Sequence, residues 1–263
     1  MCKYTRLRQI CLVAHDIGKV VDDLCDVFAI EVCHRDPNVA HFGLVNALMP
    51  VGTSFIEVVS PKVPGSSTAA GRYLGRRGGD GGYMVINDCD DVGVYRDRAA
   101  GLGIRAVEDR SYAGKADLLQ LHPRDTGGAI LEFDHHVGGE SLDASYHWAG
   151  SEWQRHIKTT RVRAIEAITL QSSEPSRLAH RWGAILAREV RENDHAWEVP
   201  LDNARLRFVG TMDTRGDGIS SIDIAVADRP SIIAAASLRG LAINEDGHAV
   251  NICGVRFRLR NAF

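Results

Sequence analysis

The sequence predicts an α+β fold made of four βαβββ units in tandem. Three observations carry the prediction. A strand–helix–strand–strand–strand order returns four times along the chain. Each helix candidate has apolar residues at helical spacing, and each strand candidate is a short apolar or alternating run. The length of 263 residues, with 44% apolar and 25% charged side chains, is enough to bury more than one core.

In the first unit Leu7–Ala14 reads as a strand and Ile17–Phe28 as a helix with Asp16 as its N-cap. Three strands are expected next, at Ala29–Arg35, Val39–Met49 and Ser54–Ser60. The second unit offers a strand at Gly82–Ile86 and a helix at Asp91–Leu102 that Gly103 stops. Its remaining strands are Ile104–Glu108, Ala116–His122 and Gly128–Phe133. In the third, Arg163–Gln171 is a strand, Pro175–Ala187 a helix opened by proline, and Trp197–Val199 and Leu206–Val209 are strands. The fourth reads as a strand at Ser221–Ala227, a helix at Pro230–Arg239, and strands at Leu241–Asn244, His248–Ile252 and Val255–Leu259.

The expected domains are a first pair of units over 1–136, a connector over 137–161 and a second pair over 162–263. Tyr146, Trp148 and Trp153 make that connector too aromatic for a flexible linker, so it should be ordered. Val63–Gly82 reads instead as a mobile stretch. Its GRRGGDGG run follows no strand-to-helix pattern and lacks the Lys-Ser/Thr ending of a phosphate loop.

Charge and composition exclude several classes. The 31 Lys and Arg against 34 Asp and Glu give a net charge of -3, with no basic footprint for nucleic acid and no polybasic membrane anchor. No apolar run approaches the length of a membrane span, and the first residues show no signal-peptide pattern. A cytoplasmic protein is the expectation. The six cysteines form no CxxC pair, so neither disulfides nor a cysteine metal site is expected, and no catalytic thiol.

Two segments carry a resemblance. Leu48–Pro61 (LMPVGTSFIEVVSP) is similar to the strand–turn–strand of methylmalonyl-CoA epimerases. His122–Phe133 (HPRDTGGAILEF) resembles their HPKDTGG segment. Together with the repeated units, these place the chain nearest the vicinal oxygen chelate superfamily of glyoxalases, bleomycin-resistance proteins and extradiol dioxygenases. The resemblance implies two cup-shaped half-open barrels. It also implies a divalent metal held by one residue from the first and last strand of each unit. Carried over by position, the ligands are Gln9, Glu57, Gly81 or Gly82, and Glu132. Hard oxygen donors would suit Mg²⁺, Mn²⁺ or Ni²⁺. Glycine where a histidine is usual leaves that set incomplete, so a cofactor-free site is the other expectation.

Glu57 and Glu132 each interrupt an apolar strand, where a carboxylate is rarely buried unless paired or used. Without a metal, the two would act as an acid/base pair. His41 falls where the epimerases carry a proton-moving glutamate; the competing reading is a solvent-facing edge histidine. His122 would orient a carbonyl, or be a turn residue satisfied by backbone. His15 reads as structural and His135-His136 as a solvated pair. In the second half Glu166, Arg207, Ser221 and Arg258 stand at the four positions. Two arginines cannot ligate a cation, so that half reads as a degenerate copy kept for packing, with Arg207 and Arg258 able to neutralise Glu166 or hold an anion.

The function expected is an isomerase, epimerase or lyase that abstracts a proton next to a carbonyl of a small oxygenated metabolite. Glu132, Glu57, His41 and His122 are its candidate catalytic residues. The alternative is a ligand-sequestering protein of the bleomycin-resistance type. Extradiol dioxygenase chemistry is disfavoured, because no two-histidine-one-carboxylate set is present. The partners expected are a small carbonyl or carboxylate substrate and a second copy of the chain.

Overall fold

The computed structural model describes residues 2–193 and 196–261. All four βαβββ modules are present. The first has β1 (Thr5–Val13), α1 (Ile17–Phe28), β2 (Leu44–Val51) and β3 (Ser54–Pro61), followed by α2 (Ala69–Arg77). The second has β4 (Gly81–Cys89), α3 (Val92–Gly101), β5 (Ala106–Tyr112), β6 (Ala116–Leu121), the single turn α4 (Pro123–Thr126) and β7 (Ile130–His136). The third comprises β8 (Val162–Ser172), α5 (Pro175–Leu186), β9 (Arg191–Asn193), β10 (Ala196–Pro200) and β11 (Arg205–Gly210). The fourth comprises β12 (Gly218–Val226), α6 (Arg229–Leu238), β13 (Ala249–Ile252) and β14 (Val255–Asn261).

One pairing rule runs through the modules: the first strand lies beside the last. β4 runs parallel to β7, β8 to β11 and β12 to β14, and β1 neighbours β3. A parallel pair needs a crossover, and the helix after each first strand supplies it. Asp16, Asp91 and Asp228 cap α1, α3 and α6 by accepting backbone N–H groups, as short carboxylates do at helix starts.

The chain divides into two compact units. One comprises Met1–Gln9, Tyr83–His147 and Ala167–Ser220, the other Ile10–Gly82, Trp148–Glu166 and Ser221–Phe263. The first therefore holds the bulk of the second and third modules, and the other the bulk of the first and fourth. Compactness groups the modules differently from their order along 1–136 and 162–263. Inside the first unit Tyr95 stacks on Phe133 with centroids 3.8 Å apart, and Trp182 meets Phe208 edge-on at 5.7 Å. The other unit is centred on Phe28 against Phe257 at 5.2 Å and on Phe55 against Trp153 at 5.0 Å. Burying each such ring contributes about 1.5–3 kcal/mol.

Several local expectations change. The strand expected at Val39–Met49 starts only at Leu44, because Pro37–Phe42 forms a 3-10 helix capped by Asp36 and closed by Gly43 at φ 71°. Ala29–Arg35 keeps a single bridge, His34 to Leu48, and Leu241–Asn244 a single bridge, Ile243 to Val250. The stretch 63–82 is not irregular throughout. Thr68 caps α2 by accepting the Gly71 N–H, and Arg77 is buried at its end. Within 137–161, Tyr146 and Trp153 are each only 1% exposed.

The β2–β3 hairpin turns at Gly52, whose φ is 62° and whose Cβ, if present, would lie 2.2 Å from the carbonyl oxygen of Arg163. No L side chain fits that space or that conformation comfortably. Gly52→Ala should lower the unfolding free energy by about 1–3 kcal/mol, read from a urea midpoint moved at unchanged slope.

Candidate functional site

In the first compact unit, the antiparallel register of β6 and β7 sets Gln120 opposite Glu132. The Gln120 Nε2 donates to Glu132 Oε2 at 2.7 Å, and Glu132 is 4% exposed. The parallel register with β4 puts Ile86 beside Glu132 and Asp88 beside Asp134. Alternation along β4 then gives Met84, Ile86 and Asp88 one common face with the carboxylate. The third ligand position expected at Gly81 or Gly82 is thus better matched by Met84, which offers no hard donor.

Asp88 receives a guanidinium. Arg6 donates Nε to Oδ1 at 3.0 Å and Nη2 to Oδ2 at 2.7 Å, with both residues buried. Arg6 also reaches the carbonyls of Gly139 and Glu140, each at 2.8 Å, and Arg8 reaches that of Leu142 at 2.6 Å. These three bonds tie the start of the connector to the first strand. The strap ends at Tyr146, whose ring lies 4.9 Å from the Arg8 guanidinium and 4.6 Å from the ring of His136. Its hydroxyl donates to Gln9 Oε1 at 2.8 Å.

His136 is 2% exposed, so the solvated pair expected at His135-His136 is corrected. Strand alternation turns His136 inward, while His135 uses its Nδ1 on the Cys89 carbonyl at 3.2 Å. His136 Nδ1 accepts the His147 N–H at 3.3 Å. Burial pushes its pKa down to about 3, so the ring is neutral at physiological pH. Burial lifts the Cys25 thiol to about 11 and the Cys33 thiol to about 12.

The other compact unit repeats the carboxylate theme. Glu57, on β3, is 7% exposed and accepts from Asn46 Nδ2 at 2.7 Å. Asn46 is oriented by its own oxygen, which accepts the Asp36 N–H at 2.8 Å, so its NH₂ faces the glutamate. His41 lies in the same unit, exposed in the 3-10 helix with its ring edge-on to Phe42. The edge-strand placement expected for it is corrected by that helix. His122 belongs to the first unit, where it caps α4 by accepting the Arg124 N–H on Nδ1 at 3.2 Å. Gln9, Glu132 and His122 are thus in one compact unit, Glu57 and His41 in the other.

The degenerate half keeps the layout and changes the charge. Arg207 on β11 pairs with Glu198 at 2.7 Å, and Arg258 on β14 pairs with buried Asp223 at 2.6 Å. Tyr146, Asn46, Gln120, Arg6, Arg8, Asp88 and His136 are not among the sequence candidates. For Arg6, Arg8 and His136 the signal was a polar residue at every second place of a strand, as in Arg6, Arg8 and in Glu132, Asp134, His136.

The residues present do not fit the metal that the resemblance implies. The Gln9 oxygen already accepts from Tyr146, Met84 and Ile86 occupy the face beside Glu132, and no imidazole completes a set. Among the described residues no group of three or more His, Cys, Asp or Glu is arranged to hold a metal ion.

No family model and no curated protein matches the sequence. Solved structures do. A hypothetical protein from Staphylococcus aureus is 14% identical with a TM-score of 0.70, covering 98% of this chain and 99% of its own. The Mn(II)-bound glyoxalase from Novosphingobium aromaticivorans is 11% identical with a TM-score of 0.66, over 98% of this chain and 82% of its own. The chain has the vicinal oxygen chelate fold. A Streptomyces coelicolor methylmalonyl-CoA epimerase variant, solved with 2-nitronate-propionyl-CoA, is 22% identical over 51% of this chain and 99% of its own, at a TM-score of 0.45. Among the described residues, no helix of this chain is long and apolar enough to cross a membrane.

The depressed pKa of His136 makes stability depend on pH with a definite sign. Its unfolded value is near 6.5 and its folded value about 3, so the unfolded chain binds the extra proton between them. The contribution is complete above the unfolded value and is lost progressively as pH falls toward 3. Chemical denaturation from pH 7 to pH 4 should show a steeper loss of stability for the wild type than for His136→Phe. Parallel pH slopes in the two proteins would contradict the assignment.

Proposed function

We propose that this protein is an enzyme that moves a proton on the carbon next to a carbonyl group, as an isomerase, epimerase or lyase. One observation carries the reading: two modules each bury a glutamate on the last strand and aim a neutral carboxamide at it. A carboxylate buried in an apolar strand and oriented by a carboxamide is a candidate base.

In the proposed reaction the carboxylate takes the α-proton, and the C–H pair moves into the enolate. A second base in the same unit returns a proton to carbon, on the opposite face in an epimerase. In the unit of Glu57 that partner base is His41, whose imidazole nitrogens can accept or donate a proton. With Nδ1 accepting from Arg124, His122 presents Nε2–H as a donor to the enolate oxygen. The third and fourth modules carry Arg–acid pairs at the equivalent positions and serve packing. The substrate class is a small carbonyl acid.

The test is deuterium wash-in from D₂O at the α-carbon of a panel of small 2-oxo and 3-oxo acids, followed by NMR. Wild-type protein should catalyse exchange in at least one member. Glu132→Gln or Glu57→Gln, whichever unit holds the site, should reduce the rate by about 10²-fold or more while remaining folded. Arg207→Met should instead lower stability while leaving the rate per folded molecule within about threefold. Saturable binding without exchange across the panel would replace the enzyme with a sequestering protein. Full activity in both glutamine variants would remove the acid/base assignment.

A further inference from the structure

Within the first compact unit a cavity of about 770 Å³ opens where the turn after β6 meets α5. Gln9 and Glu132 form no part of its lining. Its walls are fixed. Trp182 donates Nε1 to the carbonyls of Thr126 and Gly127 at 3.2 and 3.3 Å. Gly127 and Gly128 have φ of 77° and 71°, and a Cβ on either would come within 2.9 Å of a leucine side chain. The turn therefore lies close against α5 in a conformation that favours glycine.

Three arginines and three carboxylates line the cavity, but they do not cancel one another. Asp125 is held by Arg105, which lies outside the lining, through two bonds of 2.8 Å that keep its carboxyl well below the usual carboxylate range. Glu174 pairs with Arg177 at 2.8 Å. Asp217 accepts from the Ser172 hydroxyl and the Ser173 N–H. Two guanidiniums are left against the charge of Asp217, an excess of one positive charge. Arg181 is anchored by neutral backbone oxygens, the Asp125 carbonyl at 3.0 Å and the Leu102 carbonyl at 3.5 Å, and these position its charge without neutralising it. Arg124 stands on the facing turn, and among the described residues neither arginine has a carboxylate partner.

We propose that this cavity binds a small organic oxyanion, a carboxylate or a phosphate ester, between Arg124 and Arg181. Planar guanidiniums suit both head groups, which they bind through paired N–H donors. Leu178 and Ala184 on the α5 wall give an apolar stem somewhere to lie. At about 770 Å³ the cavity has room for a small organic molecule together with its head group.

Titration calorimetry on the full chain, with inorganic phosphate and with succinate, tests the assignment. At least one should bind at one site per chain, and sodium chloride should weaken it. The better probe identifies the head group. Arg181→Met and Arg124→Ala should each weaken binding about tenfold, equivalent to about 1.4 kcal/mol. The exposed Arg124 can be removed without unfolding, and Arg191→Ala on the distant β9 should change nothing. Weakening by either cavity variant with Arg191→Ala unaffected supports the site. It is overturned by no saturable binding of either probe, by unchanged binding in both cavity variants, or by an equal loss in Arg191→Ala.

Discussion

Arg6 gives one edge of its guanidinium, Nε and Nη2, to both oxygens of Asp88, and both side chains are withdrawn from water. Desolvating two such charges costs several kcal/mol each, and only good geometry with further bonds offsets it. The further bonds come from the connector, whose Gly139 and Glu140 carbonyls complete the donor set of Arg6. The path of 138–147 is therefore dictated by charge burial on the first strand. Once the strap is fixed there, Arg8 takes Leu142 and Tyr146 comes to rest on Gln9. A residue that would face a metal in a related cup is engaged by the chain's own tyrosine.

The same economy of partners appears on the last strand of every module. Glu57 and Glu132 meet carboxamides, whereas Arg207 and Arg258 meet carboxylates. A charged pair is locked in its protonation states, because each partner stabilises the other's charge. An amide facing a carboxylate orients it by a hydrogen bond and brings no charge of its own. The copied geometry with altered chemistry is why proton transfer is assigned to the first two modules and packing to the last two.

Much of this was legible in the sequence. Four helices and most strands follow from apolar period and from caps such as Asp16. The buried glutamates stood out as polar residues inside apolar runs. What sequence patterning missed depends on long-range pairing. Val39–Met49 looked strand-like, but Asp36, Pro37 and Gly43 act together to wind a 3-10 turn. His136 next to His135 looked solvated, and only strand alternation and the Tyr146 ring show it to be interior. Asn46 and Gln120 are unremarkable in composition, and their role appears only when the register sets them beside a carboxylate. The Arg6–Asp88 clamp joins residues 82 apart, beyond any local pattern.

The account's central claim is that protein donors, not a metal ion, satisfy the oxygens of Gln9, Glu57 and Glu132. Elemental analysis of protein purified without chelator, and again after incubation with Mn²⁺, Ni²⁺ or Zn²⁺ and desalting, tests it directly. The account predicts well under one equivalent of any divalent metal in every sample. Stoichiometric retention of one of them, lost in Glu132→Gln, would contradict it.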